Sequence, residues 1–565
     1  MSTAPDGIGF ATNAELDDAV EQLAVGARSW AALDLTGRAE LLRQTHTAIA
    51  SAAADWAQAA IAAKRVPAGS LEGEEWMSGP YAALAGYAAV ADSLDKLANN
   101  TSPLAGVKAG RAPGDRTTFR VLPGNLFEYN LFHGFSAEVW LSPGVSEHDA
   151  RARAGLGARR VGENGGVGLV LGAGNISAIG PLDVLYELVA HNRASVLKLN
   201  PTFAALTDAY TKAFAPLIHA DLLRIVNGGA EVGSYLTAHV GIAHVHITGS
   251  GKTHDLIVWG STTDTSGAPI LDKPITSELG GVSPIIVVPG EWSAADLQFQ
   301  AEHVATQRLH NSGHNCIAGQ ALIVSADWPQ RDDFLRVLSE VLAQAPARPV
   351  WYPGSDAKLA AAVDSYPDAH KVSNGLLIEV DESTSQDLFT TEYFAPVLGH
   401  TSLPGDGIVF LRNAVEFANT RLDGSLGAGV IVAPGDRKSM GGAFDEAIAD
   451  LRYGTIGINV WSAIGFLVPA LSWGAYPGNT LDAVGSGIGI VHNAHLVSEV
   501  ERSVISGPFR PFPRSVRHGE FALTPKPSWF VTNKKAGDIA TRLTAFAADP
   551  SWNKLPGIFN QAFRG

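Results

Sequence analysis

The chain has 565 residues, 46% of them apolar and 17% charged, with a formal charge of −15. That length calls for about two or three domains, and the acidic balance excludes a protein whose main work is neutralising phosphate backbones. A single cysteine, Cys316, excludes an intramolecular disulfide and a multi-thiolate zinc site, which points to a cytoplasmic chain without a structural metal.

Residues 1–10 carry no basic stretch followed by an apolar run, so no secretory signal is expected. Residues 14–100 repeat alanine and leucine at helical spacing, as across 34–63, and predict a helical lead-in. Residues 117–141 change character, with Phe119, Val121, Phe127, Tyr129, Phe132 and Val139 set between Pro-Gly pairs at 123–124 and 143–144. This pattern predicts a projecting β-ribbon, whose uncovered edge invites pairing with another subunit.

From Val167 the pattern alternates. Short apolar strands are expected at 167–171, 195–199, 222–226 and 244–248, with helices at 182–191, 203–219 and 232–239 between them. Strands alternating with helices imply βαβ units and a parallel sheet. The most apolar stretch, 167–188, is broken by glycines, Asp183 and Glu187, so no membrane span is expected. After Glu278 a second alternating region runs through 284–288, a helix over 295–310, and 320–325; a strand over 454–460 closes it. Residues 502–529 are dense in proline, arginine and phenylalanine and predict a segment that wraps over another surface.

Three motifs compete for the chemistry. Gly172-Ala-Gly-Asn-Ile-Ser177 resembles the start of a dinucleotide-binding loop but has Ser177 at the third glycine position. Gly249-Ser-Gly-Lys-Thr253 ends like a P-loop, yet His246 stands where the earlier glycine must let backbone N–H groups curl around phosphate. The strand at 376–381 ends in Asp381, as a magnesium-binding strand would. The third motif is a pair: Glu278 in Ser277-Glu-Leu-Gly-Gly281 and Cys316 in Gly313-His-Asn-Cys-Ile-Ala318. A lone buried cysteine is usually an inert small hydrophobe, but a thiol and a carboxylate together form a nucleophile and a base.

The company these residues keep resembles the aldehyde dehydrogenase superfamily across about 160–460. Gly174-Asn175 is similar to that family's Trp-Asn turn, Val196-Leu-Lys198 to its strand ending in lysine, and Ile247-Thr-Gly-Ser250 to its Phe-Thr-Gly-Ser turn. Glu278-Leu-Gly-Gly-Val-Ser-Pro284 resembles Glu-Leu-Gly-Gly-Lys-Ser-Pro, and the cysteine segment resembles Gly-Gln-x-Cys-x-Ala. Glu392-Tyr-Phe-Ala-Pro-Val397 and Gly454-Thr-Ile-Gly-Ile-Asn459 resemble two later words of the family.

The resemblance implies an α/β fold with a Rossmann-like cofactor-binding domain (1–116 and 142–277) and an α/β catalytic domain (278–470). It also implies an oligomerisation ribbon (117–141) and leaves 471–565 as a return segment and extended tail at a subunit interface. It implies oxidation of a small-molecule aldehyde by NAD or NADP in a homo-oligomer, dimer or tetramer. Cys316 would be the nucleophile, Asn175 the oxyanion donor and Glu278 the base that activates water. Lys198, Gly249, Ser250, Glu392 and Phe394 would hold the dinucleotide. The presence of Glu278 favours an acid product over a coenzyme A thioester, the main alternative. More remote are a P-loop NTPase and a silent scaffold.

Four departures stand out. His314 replaces the usual glutamine, Ala395 replaces a glycine, and the chain beyond about 490 is longer than the family's. Pro201 falls where NAD-preferring members carry a ribose-binding glutamate, which leaves NADP open. Trp461, Phe466 and Trp473 follow closely and suggest an apolar entrance.

Overall fold

The computed structural model describes residues 11–372, 375–381 and 386–565. The first ten residues of the expected cofactor-binding segment therefore lie outside the described residues. The alanine-rich lead-in forms two long helices. Asn13–Ala32 starts at a capping box of Thr12 and Glu15, and Leu35–Lys64 starts at Asp34, whose carboxylate accepts the Gly37 N–H. Each satisfies an amide that the helix itself leaves unpaired.

Two sheets follow. The first has six strands in the order Gly487–Ile488, Ile275–Leu279, Ile242–Gly249, Val167–Leu171, Ala194–Lys198, Leu223–Val226. All pairs are parallel except the short Gly487–Ile488. The chain starts at Val167–Leu171, runs outward to one side for two strands, then returns to the other side. The strand order therefore reverses between Val167–Leu171 and Ile242–Gly249, and that reversal opens a crevice beyond the strands' carboxyl ends. Glu278 sits on the strand Ile275–Leu279, so the boundary drawn at 277/278 falls inside a strand of the first sheet.

The second sheet has eleven strands. Its parallel centre runs Val500–Ser506, Thr455–Ile458, Gly427–Ile431, Ser283–Val287, Gly319–Ser325, Val397–Leu403, Gly375–Glu379, with antiparallel His370–Val372 at one edge. The ribbon forms as Arg116–Leu122 and Ser136–Leu141, with a further strand Lys108–Ala112 and a short helix Leu126–Leu131 that the pattern did not announce. Its inner strand pairs with Val500–Ser506, so the ribbon continues the second sheet within one chain. The segment expected to wrap instead begins inside the second sheet, where residues up to Ser506 belong to the buried strand Val500–Ser506, and the tail then adds the helices Ala536–Ala548 and Leu555–Ala562. Their Ile539, Leu543, Phe546 and Ile558 bury with Tyr81 of the lead-in.

Candidate active site

Cys316 reaches its place through a turn that few sequences can make. The helix Ala294–Leu309 begins at a capping box of Ser293 and Asp296. Just past its end, Asn311, Ser312 and Gly313 take φ of 52°, 56° and 76° in succession. Left-handed backbone at two non-glycine residues costs about 1–3 kcal/mol each, and polar contacts from the lead-in hold it. The Asn311 N–H donates to Glu74 Oε2 at 2.7 Å, and Lys64 Nζ donates to Asn311 Oδ1 at 3.2 Å. Lys64 is also paired with Glu75 at 2.8 Å, with both side chains fully buried. Asn311 Nδ2 in turn donates to the carbonyls of Asn175 (3.1 Å) and His314 (3.0 Å). One asparagine thus ties the cysteine loop to the Gly172–Asn175 turn of the other sheet.

Cys316 and Glu278 line the same crevice, and the carboxylate acts electrostatically on the thiol. Burial and the carboxylates of Glu278 and Glu392 push that thiol well above the usual thiol range, so it rests protonated. Burial also raises Glu278 to about 7, against the opposing pull of Cys316 and Trp473. The Trp473 indole N–H donates to Glu278 Oε1 at 3.2 Å. Asn175 Nδ2 spends one hydrogen on the His314 carbonyl at 2.9 Å. An amide nitrogen carries two, so a second remains. His314 is fully buried, pulled down to about 3 by burial, and bonded to Ser355 Oγ at 3.0 Å. It neither faces solvent nor charges beside the thiol; it serves the loop through its backbone.

Cys316 lines two cavities at once. The larger, about 690 Å³, occupies the crevice at the strand-order reversal and takes in Asn175, Lys198, Gly249, Ser250, Glu278, Glu392 and Phe394. All eight expected site residues therefore converge on it. Lys198 ends the strand Ala194–Lys198, is 9% exposed, and is pulled down to about 8 by burial against the attraction of Glu231. Ser250 caps the helix Gly251–Trp259 through the Thr253 N–H, so the capping and lining readings both hold. Lys252, the would-be P-loop lysine, is exposed in that helix's first turn. Phe394 has a φ of 47° and packs 4.8 Å from the Tyr352 ring. Glu392 lies against Gly280, where a Cβ would come within 2.0 Å of its Oε1. That same Oε1 is buried without a partner in the fold, and burial lifts the carboxyl to about 7.

The smaller cavity, about 80 Å³, lies on the other side of Cys316 and is walled by Ile176, Trp461, Phe466, Trp473 and Trp529. The aromatic entrance expected from Trp461, Phe466 and Trp473 is present, and Trp529 of the tail joins it. Sequence reasoning missed three residues. Asn311 had a local signal, since Asn-Ser-Gly is turn chemistry tolerant of left-handed backbone. Trp473 as a donor to Glu278, 195 residues away, had none; neither had Trp529. Among the described residues no group of three or more His, Cys, Asp or Glu is arranged to hold a metal ion, and no helix is long and apolar enough to cross a membrane.

Residues 166–357 match the family model described as aldehyde dehydrogenase family. The fold is similar to that of an NAD-dependent aldehyde dehydrogenase from Sinorhizobium meliloti, at 18% identity over 89% of each chain with a TM-score of 0.58. It is similar to the indole-3-acetaldehyde dehydrogenase of P. syringae, at 17% identity over 88% of this chain and 90% of that one, with a TM-score of 0.58. An NADP-dependent glyceraldehyde-3-phosphate dehydrogenase from Bacillus halodurans matches at 17% over 87% and 91%, with a TM-score of 0.57. At these identities the likeness is one of fold.

Proposed function

We infer, for a chain that belongs to the aldehyde dehydrogenase superfamily, that it oxidises an aldehyde to a carboxylic acid with NAD or NADP through a covalent adduct on Cys316. One observation carries the reading: Cys316, which lines the crevice together with Glu278, stands in the wall shared by that polar crevice and an apolar cavity. The residues of the crevice fit a dinucleotide. Glu392 offers a buried, unpartnered carboxylate oxygen for ribose hydroxyls, and Lys198 a desolvated ammonium for the adenosine ribose or a 2′-phosphate. Ser250 at a helix N-terminus suits a pyrophosphate.

In this reading the Cys316 sulfur bonds to the carbonyl carbon as the thiol proton passes to Glu278. The carbonyl π pair becomes an oxyanion, for which the second Asn175 hydrogen and the Cys316 backbone N–H are the donors. Both are uncharged and already fixed, so they stabilise the charge without reorganising. A nicotinamide dinucleotide held by Lys198, Ser250 and Glu392 would supply the hydride acceptor, and loss of the hydride leaves the Cys316 adduct a thioester. Glu278, whose pKa of about 7 lets it return its proton to solvent near neutrality, then takes a proton from water. The water oxygen bonds to the thioester carbon, the C–S bond breaks, the sulfur takes the proton back from Glu278, and the acid departs.

The test is a panel of aldehydes followed by reduced-nicotinamide absorbance, with NAD and NADP in parallel. Cys316→Ser is expected to abolish oxidation while retaining dinucleotide binding measured by calorimetry. Full activity in that variant removes the covalent mechanism.

A further inference from the structure

A second, larger apolar cavity of about 280 Å³ lies beyond the small one at Cys316. The two share Met77, Ile464, Leu467, Ser528 and Trp529 in their walls, so they adjoin across those side chains. More than half of the outer lining comes from the tail, including Leu543, Ile558, Phe559 and Ala562. The pair is therefore built from two parts of the chain far apart in sequence, one of them the extension that the family resemblance did not cover.

The tail is fastened where it needs to be. Arg510 and Arg514 both reach Asp296, at 2.9 and 2.6 Å, and Gln300 Nε2 donates to the Phe509 carbonyl at 2.7 Å. Further on, Thr532 donates to Glu302 at 2.8 Å, the Val531 N–H donates to Thr306 at 3.0 Å, and Phe530 stacks on Phe299 at 5.0 Å. All these partners lie on Ala294–Leu309, the helix that delivers the cysteine loop. Between these anchors and the helix Ala536–Ala548, Trp529 stands in the wall that both cavities share. At the far side Gly73, which lines the inner cavity, lets the tail approach: a Cβ there would meet the Ala536 backbone at 2.7 Å.

The chemistry of the walls selects the occupant. Lys526, a cation in the outer lining, is already paired with Glu302 at 3.2 Å; the polar wall residues Asn130, His133 and Thr524 are already bonded to backbone groups, and most of the other side chains are apolar. A phosphorylated or polyhydroxylated aldehyde would find few partners there, and desolvating its polar groups would cost more than it recovered. An alkyl chain fits without such a loss.

We propose that the C-terminal tail completes a substrate channel across both cavities, with Trp529 in their shared wall, that makes this chain selective for aldehydes carrying an extended, unbranched alkyl group. The inference rests on Cys316 being the reacting centre, and the experiment separates the two. Calorimetric titration of the wild-type chain with acetate, butyrate, octanoate and dodecanoate reads channel occupancy without turnover. Affinity is expected to rise about fourfold per methylene, the equivalent of about 0.8 kcal/mol per buried CH₂, and to keep rising beyond butyrate. Ala562→Phe, which fills the outer cavity, is expected to level the rise at butyrate. The kcat/KM values for the matching aldehydes, each normalised to ethanal, are expected to follow the same two profiles. A wild-type ladder that stops at butyrate overturns the proposal without any variant, and so does an Ala562→Phe ladder that matches the wild type. If the acid ladder behaves as described while no aldehyde reduces NAD or NADP, the channel stands and the oxidation falls.

Discussion

The two sides of Cys316 are built on opposite plans. The crevice side is made of strand ends: Lys198 finishes one strand, Gly249 and Ser250 finish another, and Asn175 follows a third. Each of these residues is placed by a local turn, and each offers a polar group. The apolar side is assembled from residues far apart in the chain, among them Met77, Ile176, Trp461, Trp473 and Trp529, and no single turn places them. Binding a conserved chemical group can be encoded in short words, whereas shaping a pocket for a variable one takes the whole fold. The same difference predicts where substitutions act: crevice-side changes alter the chemistry or the cofactor, and apolar-side changes alter which substrate reaches it.

After Cys316 itself, the largest effect is expected at Glu278, which lines the crevice and accepts from Trp473 of the apolar side. Replacing a positioned general base costs about 100- to 10,000-fold, so Glu278→Gln should lower steady turnover within that range. The wild-type rate should also rise as pH increases through about 7, because burial raises this carboxyl and only its ionised form accepts a proton. Glu392 is raised to about 7 as well. The pH–rate profile of Glu278→Gln therefore decides between them: the limb should vanish with Glu278, and its persistence at full height would assign it to Glu392.

Asn175 comes next. Removing one oxyanion donor costs about 100- to 1,000-fold in turnover. Asn175→Ala should lower kcat within that range and leave the acid-binding ladder unchanged in slope, since the alkyl channel lies beyond it. A loss confined to KM would mean that the amide only supports the loop through its contact with the His314 carbonyl.

The fold and the crevice were legible because their signals are local. Val167–Leu171, Ala194–Lys198 and Ile242–Gly249 announce themselves as apolar runs bounded by turns, and the structure places them within a residue or two of expectation. Cys316 and Glu278 were legible as a pair through their neighbours' resemblance, not through their spacing. What stayed hidden depends on contacts between distant residues. A tryptophan reads as core whether it donates to Glu278, as Trp473 does, or walls a channel, as Trp529 does. The helices Ala536–Ala548 and Leu555–Ala562 were passed over because the proline-rich stretch before them suggested an irregular wrap. Their apolar faces are short and find their cover on Tyr81, more than 400 residues earlier. The place of the His314 ring was hidden for the same reason: only the fold shows it buried against Ser355, Trp351 and Phe394.

The smallest effect is expected at the far end of the crevice. Lys198 is desolvated, and its pKa is lowered to about 8, so its charge is present below that pH and is lost as pH rises through it. Dinucleotide affinity should therefore weaken on raising the pH through about 8, and more for NADP than for NAD, because a 2′-phosphate loses a charged partner where a hydroxyl loses a neutral one. Lys198→Met should remove this pH dependence. A hydrogen bond to a charged group contributes about 1.5–3 kcal/mol, so the substitution should weaken NADP binding by roughly 10- to 150-fold while sparing kcat. Pro201, standing where an acidic residue would repel the phosphate, leaves Lys198 as the main discriminator. If Lys198→Met weakens NAD and NADP equally, the lysine serves the ribose in both, and cofactor choice must lie with Glu231, the carboxylate that acts on Lys198 from the next turn.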